Sequence, residues 1–344
     1  MSTLPTAKAE PERSGFIGWG RVGLACVVVF ALVLPFMSSG YHLFQYAQVL
    51  NYAIALVGLN LLTGYNGQIS LGHGAFFAIG GYASAILVAK FGMPYWVTPP
   101  IAGMVCLVAG FLFGLPALRL EGLYLALATF ALAVAMPQLL NYKHFDALTG
   151  GSGGLQLAKP GAPFGLPITS DQWLYFYCLG FAALLFLAAR NLVRGRIGRA
   201  MVAIRDQPVA AETMGVPISY VKAMCFGISA LYAGVGGALS VTIVGYVSPD
   251  SFGLFLSLSF LVGIVVGGLT SIPGMLFGAW FIEFVPNYAD QLTSSLGENA
   301  KALPWAVYGV LLIALMFVMP RGIAGAVTAM AARLQRFTNA TKRA

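Results

Sequence analysis

The sequence predicts an all-α, polytopic integral membrane protein with about ten transmembrane helices. Three observations predict it. The 344-residue chain is 59% hydrophobic and only 9% charged, far from the balance of a water-soluble domain. Apolar stretches of about twenty residues recur along it, the length a helix needs to cross the hydrocarbon core. The basic residues collect between alternate apolar stretches: a ten-span topology places fifteen of the 19 on one side, leaving Lys90, Lys143, Lys159 and Lys301 on the other. By the positive-inside bias the rich side is cytoplasmic, and both termini lie there. The same bias accounts for the net charge of +8 without a nucleic-acid partner, since no aromatic-interleaved basic patch accompanies it. No segment between spans approaches the roughly 100 residues of a separate catalytic domain.

In order, residues 1–20 form a polar cytoplasmic tail, and residues 21–322 the membrane domain. Val22–Met37 reads as a retained first span; a signal-peptide core is the other reading. Phe44–Leu62 is the second span. A Gly-rich polar break then opens the segment Gly64–Lys90 and runs into the third. Val97–Pro116 and Leu123–Leu140 follow, separated by the turn Leu118–Gly122. Asn141–Gln172 is a polar extramembranous loop, on the periplasmic side in this topology, and Trp173–Ala189 is the sixth span. Arg190–Lys222 is a cytoplasmic loop. Ala223–Tyr246, Gly253–Leu269, a shorter Gly274–Asn287 interrupted by Pro286, and Leu303–Met319 complete the set. Residues 323–344 are a basic cytoplasmic tail, with a candidate surface helix at Val327–Phe337. Gly110/Gly114, Gly263/Gly267 and Gly274/Gly278 have the four-residue spacing that lets helices approach closely in lipid.

The loop Arg190–Lys222 carries six basic residues against Asp206 and Glu212. Attraction to anionic headgroups of membrane lipids accounts for Arg190, Arg194 and Arg196. It does not account for a short punctuated helix over Asp206–Gly215. Asp206 or Gln207 can cap it, Pro208 suits its first turn, Gly215 suits a left-handed C-terminal position, and Pro217 stops continuation. Two turns are unstable alone in water, so Val209, Ala210, Thr213 and Met214 read as a small apolar knob gripped by a soluble partner. In the polar break, Asn66, Gln68, Ser70 and His73 sit where irregular backbone at membrane depth must face protein or water. A pathway lining or gate is one reading; a satisfied helix break with His73 bonded to a carbonyl is the other. Glu283 is the one acidic residue well inside a span and reads as lying near the outer interface. Cys26, Cys106, Cys178 and Cys225 lie in apolar spans without CxxC spacing and read as small core hydrophobes, with no metal set. No GxSxG, HExxH or GxxxxGK[ST] occurs, so the chain is expected to be no enzyme, to hold no cofactor, and to leave any ATP to another polypeptide.

GYNGQISLGHGAFFAIGGY, LTGGSGG, GRAMVAIRDQPVAAETMGVPISYVK, VVGGLTSIPGMLFGA and PRGIAG together resemble the LivM-type permease of branched-chain amino acid ABC importers, over roughly residues 40–325. The resemblance implies the ABC importer permease fold and a place in a bacterial inner membrane. It implies three kinds of partner: a LivH-type second permease, two cytoplasmic ABC ATPases that bind the ATP, and a periplasmic substrate-binding protein. It implies further that Asp206–Gly215 is the coupling helix inserted into an ATPase cleft, with Arg199, Arg205, Asp206, Val209, Ala210, Ala211, Glu212, Met214 and Gly215 as its coupling set. The expected cargo is leucine, isoleucine, valine or another hydrophobic amino acid. A permease for urea or short amides, and an ATP-independent channel, are the alternatives.

Overall fold

The computed structural model describes residues 29–294, apart from 39, 118, 121 and 163–166, together with part of 309–326. The first span is described as a helix over residues 29–37 (α1); residues 22–28 of that span, the tail 1–20, most of the tenth span and the surface helix at 327–337 fall outside the described residues.

The next helices follow the apolar runs closely. α2 is Gly40–Asn60, prolonged by a π-helical turn at Leu61–Tyr65. α3 (His73–Ala89) starts after the polar break, and α4 is Thr98–Ala117. α5 is Leu123–Leu140, bounded by Gly122 and Asn141 as the sequence predicts. In the loop that follows, a four-residue α6 (Asp146–Thr149) precedes a two-residue strand β1 (Leu155–Gln156). α7 is Ser170–Arg194, longer at both ends than the sixth predicted span. Thr169 closes a capping box with Gln172 at its start, which satisfies two of the N–H groups a helix leaves unpaired.

The basic loop is not a loop throughout. Residues 190–194 continue α7, Arg196–Asp206 forms α8, and Pro208–Thr213 forms α9. Gly198, Met201 and Ile204, three residues apart, put one apolar stripe of α8 inside while Arg196 and Arg199 stay out. α10 is Ile218–Val244, followed by β2 (Tyr246–Val247) and α11 (Leu254–Gly267). α12 (Gly274–Ser294) corrects the prediction of a short interrupted span: Pro286 lies inside one continuous 21-residue helix. Asn287 donates from its side chain to the Glu283 carbonyl at 2.7 Å, next to the backbone bond that proline removes. Glu283 therefore sits near the middle of α12, about 13 Å along the axis from Gly274, not at its outer end.

Six of the described helices are long and apolar enough to cross a membrane, and the chain is a multi-pass membrane protein. α10 is the centre, packed against α2, α3 and α4; α12 packs on α2 and α11, and α7 lies along α2. The apolar windows of α2 and α10 are 83% buried, against 28% for α5 and 17% for α7, so the first pair is core and the second faces outward. Cys106, Cys178 and Cys225 are buried and free, as small core side chains; Cys26 is outside the described residues.

The glycine pairs act as predicted. Gly110 packs on Ala230 of α10, and Gly263 and Gly267 of α11 meet Gly278 and Gly274 of α12, backbone against backbone. The connections sort into two ends. At one, Leu155 and Gln156 pair antiparallel with Val247 and Tyr246, and the Trp173 indole donates to the Tyr95 hydroxyl at 2.8 Å. At the other lie the break after Tyr65, α8 and α9, and the turn between α11 and α12. This division is the alternation a multi-span chain requires.

Candidate functional site

Two predicted groups of residues meet at that second end: the basic segment and the polar break. α9 is six residues long, with Pro208 in its first turn. Neither Asp206 nor Gln207 caps it through a side chain; Gln207 is a single extended residue (φ −151°) between two helices, and Asp206 ends α8. The C-terminal punctuation is as predicted: Gly215 takes φ +80°, its N–H bonds the Glu212 carbonyl at 2.9 Å, and the Val216 N–H bonds that of Ala211 at 3.0 Å. Ala211 is the one buried residue of α9, whereas Val209 is 72% and Met214 85% exposed. Ala210, Glu212 and Gly215 are exposed as well. Val209 and Met214 thus form an exposed apolar pair at this end of the described residues.

Arg199 is exposed and donates to the Arg194 carbonyl at 3.2 Å. Arg205 turns the other way. Its Nη1 donates to the Gly64 carbonyl of the π-helical turn at 2.8 Å, and its Nε donates to Asp206 Oδ1 at 2.9 Å. The last carbonyls of a helix have no donor within it, and a cation there both pairs one and complements the helix dipole.

The break itself is closely bonded. The Asn66 N–H reaches the Leu61 carbonyl at 3.2 Å and the Gln68 N–H that of Leu62 at 3.1 Å, while the Thr63 hydroxyl donates to the Gln68 carbonyl at 3.0 Å. Asn66 Nδ2 donates to Gln68 Oε1 at 2.6 Å, and Gly67 takes φ +73°. The four predicted polar residues are all buried, yet they divide. Asn66 and Gln68 line a cavity of about 240 Å³ shared with Arg205, Pro208 and Lys222. Ser70 accepts from the Gly72 N–H at 3.4 Å. His73 Nε2 bonds the Ala55 carbonyl at 2.8 Å and presents its ring edge-on to Phe260, so the histidine pins the start of α3 to α2.

Three features went unread in the sequence. Asn60 clasps the turn between α11 and α12, accepting from the Thr270 N–H at 2.9 Å and donating to the Ser271 carbonyl at 3.3 Å. Gln45, Gln48 and Asn51 form a buried polar stripe along α2, with Asn51 Nδ2 donating to Gln48 Oε1 at 3.2 Å; their three-residue spacing inside an apolar run was the available signal. The bond from Arg205 to Gly64 left no signal, because 141 residues separate the partners.

Comparison with known proteins agrees with this architecture. Residues 42–319 match the family described as branched-chain amino acid transport system / permease component. The LivM permease protein of the high-affinity branched-chain amino acid transport system of Salmonella typhimurium is 30% identical over 327 residues, covering 88% of this chain and 74% of the relative. The Escherichia coli K12 LivM protein matches to the same extent. The E. coli K12 LivH permease protein is 25% identical over 296 residues, covering 80% of this chain and 91% of that one.

Proposed function

The chain belongs to the family of branched-chain amino acid transport permease components, and from that premise we propose that it is the membrane subunit of an ATP-driven importer for leucine, isoleucine and valine. The observation that carries this reading is the match to LivM over 88% of the chain, together with a family match over residues 42–319 that includes both the polar break and the basic segment. The relatives are permease components, not enzymes. On this reading the energy comes from two ATPases on separate chains. A LivH-type permease completes the passage, and a periplasmic binding protein delivers the amino acid. The setting is a bacterial inner membrane with both termini in the cytoplasm, the face that the basic residues favour.

α9 is the part the ATPase grips. Val209, Ala210, Glu212 and Met214 supply its exposed face, Ala211 seats it on the chain, and Gly215 ends it. Arg199 flanks it on α8, and Arg205 and Asp206 join it to the bundle. Asn66 and Gln68 line the passage at this end, with Ser70 and His73 fixing the break behind them. When ATP closes the ATPases, α9 moves and the bundle rocks about the passage. Uptake of labelled leucine by membranes containing the full transporter tests the cargo. Excess unlabelled isoleucine or valine should abolish the signal and excess urea leave it unchanged; the reverse pattern contradicts the reading.

A further inference from the structure

We propose that Arg205 is the positioning residue that carries movement of α9 into the membrane helices, by holding the Gly64 carbonyl of the broken helix α2. The proposal rests on the reading of the chain as an ATP-driven permease and adds the route by which the drive enters it.

The route has little slack. Asp206 ends α8 and Pro208 begins α9, so only Gln207 separates the exposed knob from the turn that bears Arg205. The Arg205 side chain is about one-third exposed and lies along the break: a Cβ placed on Gly67 would stand 2.8 Å from its Cγ. Its guanidinium then ends on Gly64 at 2.8 Å. A headgroup-binding arginine would point outward, as Arg199 does; this one is turned into the fold.

The π-helical turn is held from its other side too. Asn60 bonds both Thr270 and Ser271, and the Tyr65 hydroxyl donates to the Thr270 carbonyl. Thr270 has φ +64°, a conformation a β-branched residue adopts only where its surroundings impose it. One five-residue π turn thus joins α8 on one flank to the α11–α12 connection on the other. π turns within helices are frequent at functional sites, since their loosened bonding can shift register. Displacement of α9 reaches α11 and α12 through two hydrogen-bonded joints, of which Arg205 to Gly64 is the first.

The test uses the full transporter, purified with its partner permease and ATPases and reconstituted in vesicles with the binding protein and leucine inside the assay. ATP hydrolysis and labelled leucine uptake are measured in the same preparation for wild type, Arg205→Met and Arg205→Lys. Loss of one hydrogen bond to a charged group should lower leucine moved per ATP by about tenfold or more in Arg205→Met, with hydrolysis close to wild type. Arg205→Lys, which keeps a donor, should recover part of the ratio. An unchanged ratio in Arg205→Met, a parallel fall of hydrolysis and uptake, or a lysine variant no better than methionine would each overturn the proposal. If Arg205→Met does not assemble, Gly67→Ala, which displaces the arginine stem, must show the same uncoupling, and normal coupling there overturns it. Wild-type vesicles that hydrolyse no ATP on leucine addition would instead sink the transporter reading itself.

Discussion

Gly267→Ala probes the helix packing on which the bundle depends. Gly267 of α11 faces Gly274 of α12, and a Cβ added there would lie 2.5 Å from the Gly274 carbonyl oxygen and 2.9 Å from Met275 Cε, where ordinary contact begins at 3.4 Å. The methionine end can swing aside. The carbonyl belongs to backbone and cannot, so the two helices must part by about 0.9 Å at this point, breaking the matching approach of Gly263 and Gly278 one turn away. Forcing extra volume into a packed contact costs about 1–3 kcal/mol, and alanine returns about 0.5–1 kcal/mol through its better helix propensity. The net loss is about 0.5–2 kcal/mol. Gly180→Ala in α7 is the control, because a Cβ there meets nothing within 4 Å. Thermal unfolding of the purified chain in mild detergent should show Gly267→Ala melting below wild type and Gly180→Ala at or above it. Equal melting temperatures for the two variants would refute the close-approach argument.

Further outcomes follow from the same geometry. Gly215→Ala places a side chain at φ +80° and should destabilise the end of α9 by about 1–2 kcal/mol, seen as faster amide exchange over residues 208–216, while Gly215→Asn restores most of the protection. Thr169→Ala removes the capping box of α7 and should lower stability by about 1 kcal/mol in the same melting assay, without changing leucine uptake per folded molecule. Replacing Val209, Glu212 and Met214 together by alanine alters only exposed side chains, so expression should stay at wild-type level while uptake is abolished. Normal uptake by that variant would remove α9 from the coupling role.

Much of the fold was legible because lipid imposes simple demands. An apolar run between Gly122 and Asn141 has one way to satisfy its backbone in a membrane, and α5 occupies that run. The facing glycine pairs of α11 and α12 were legible for the same reason: four-residue spacing of small side chains has few other uses. Where charge was dense, the reading failed. The arginines of residues 196–206 mask the three-residue stripe of Gly198, Met201 and Ile204, so the sequence suggests loop where the structure forms α8. Pro286 suggests a break, but the neighbouring Asn287 side chain bonds the Glu283 carbonyl and the helix runs on. At the site, the exposed knob and the left-handed Gly215 could be read from local sequence. The inward turn of Arg205 could not, since its direction is set by a carbonyl in another helix.

The central claim is that this chain moves its cargo with ATPases carried on other polypeptides. A pull-down of the tagged protein from native membranes in mild detergent, with mass spectrometry of what stays bound, tests it most directly. Recovery of P-loop ATPases and a second permease is expected; replacing Val209, Glu212 and Met214 by alanine should lose the ATPases and keep the second permease. Clean recovery of this chain alone in several detergents, with leucine flux through the reconstituted protein by itself, would contradict it and make the basic segment a lipid anchor.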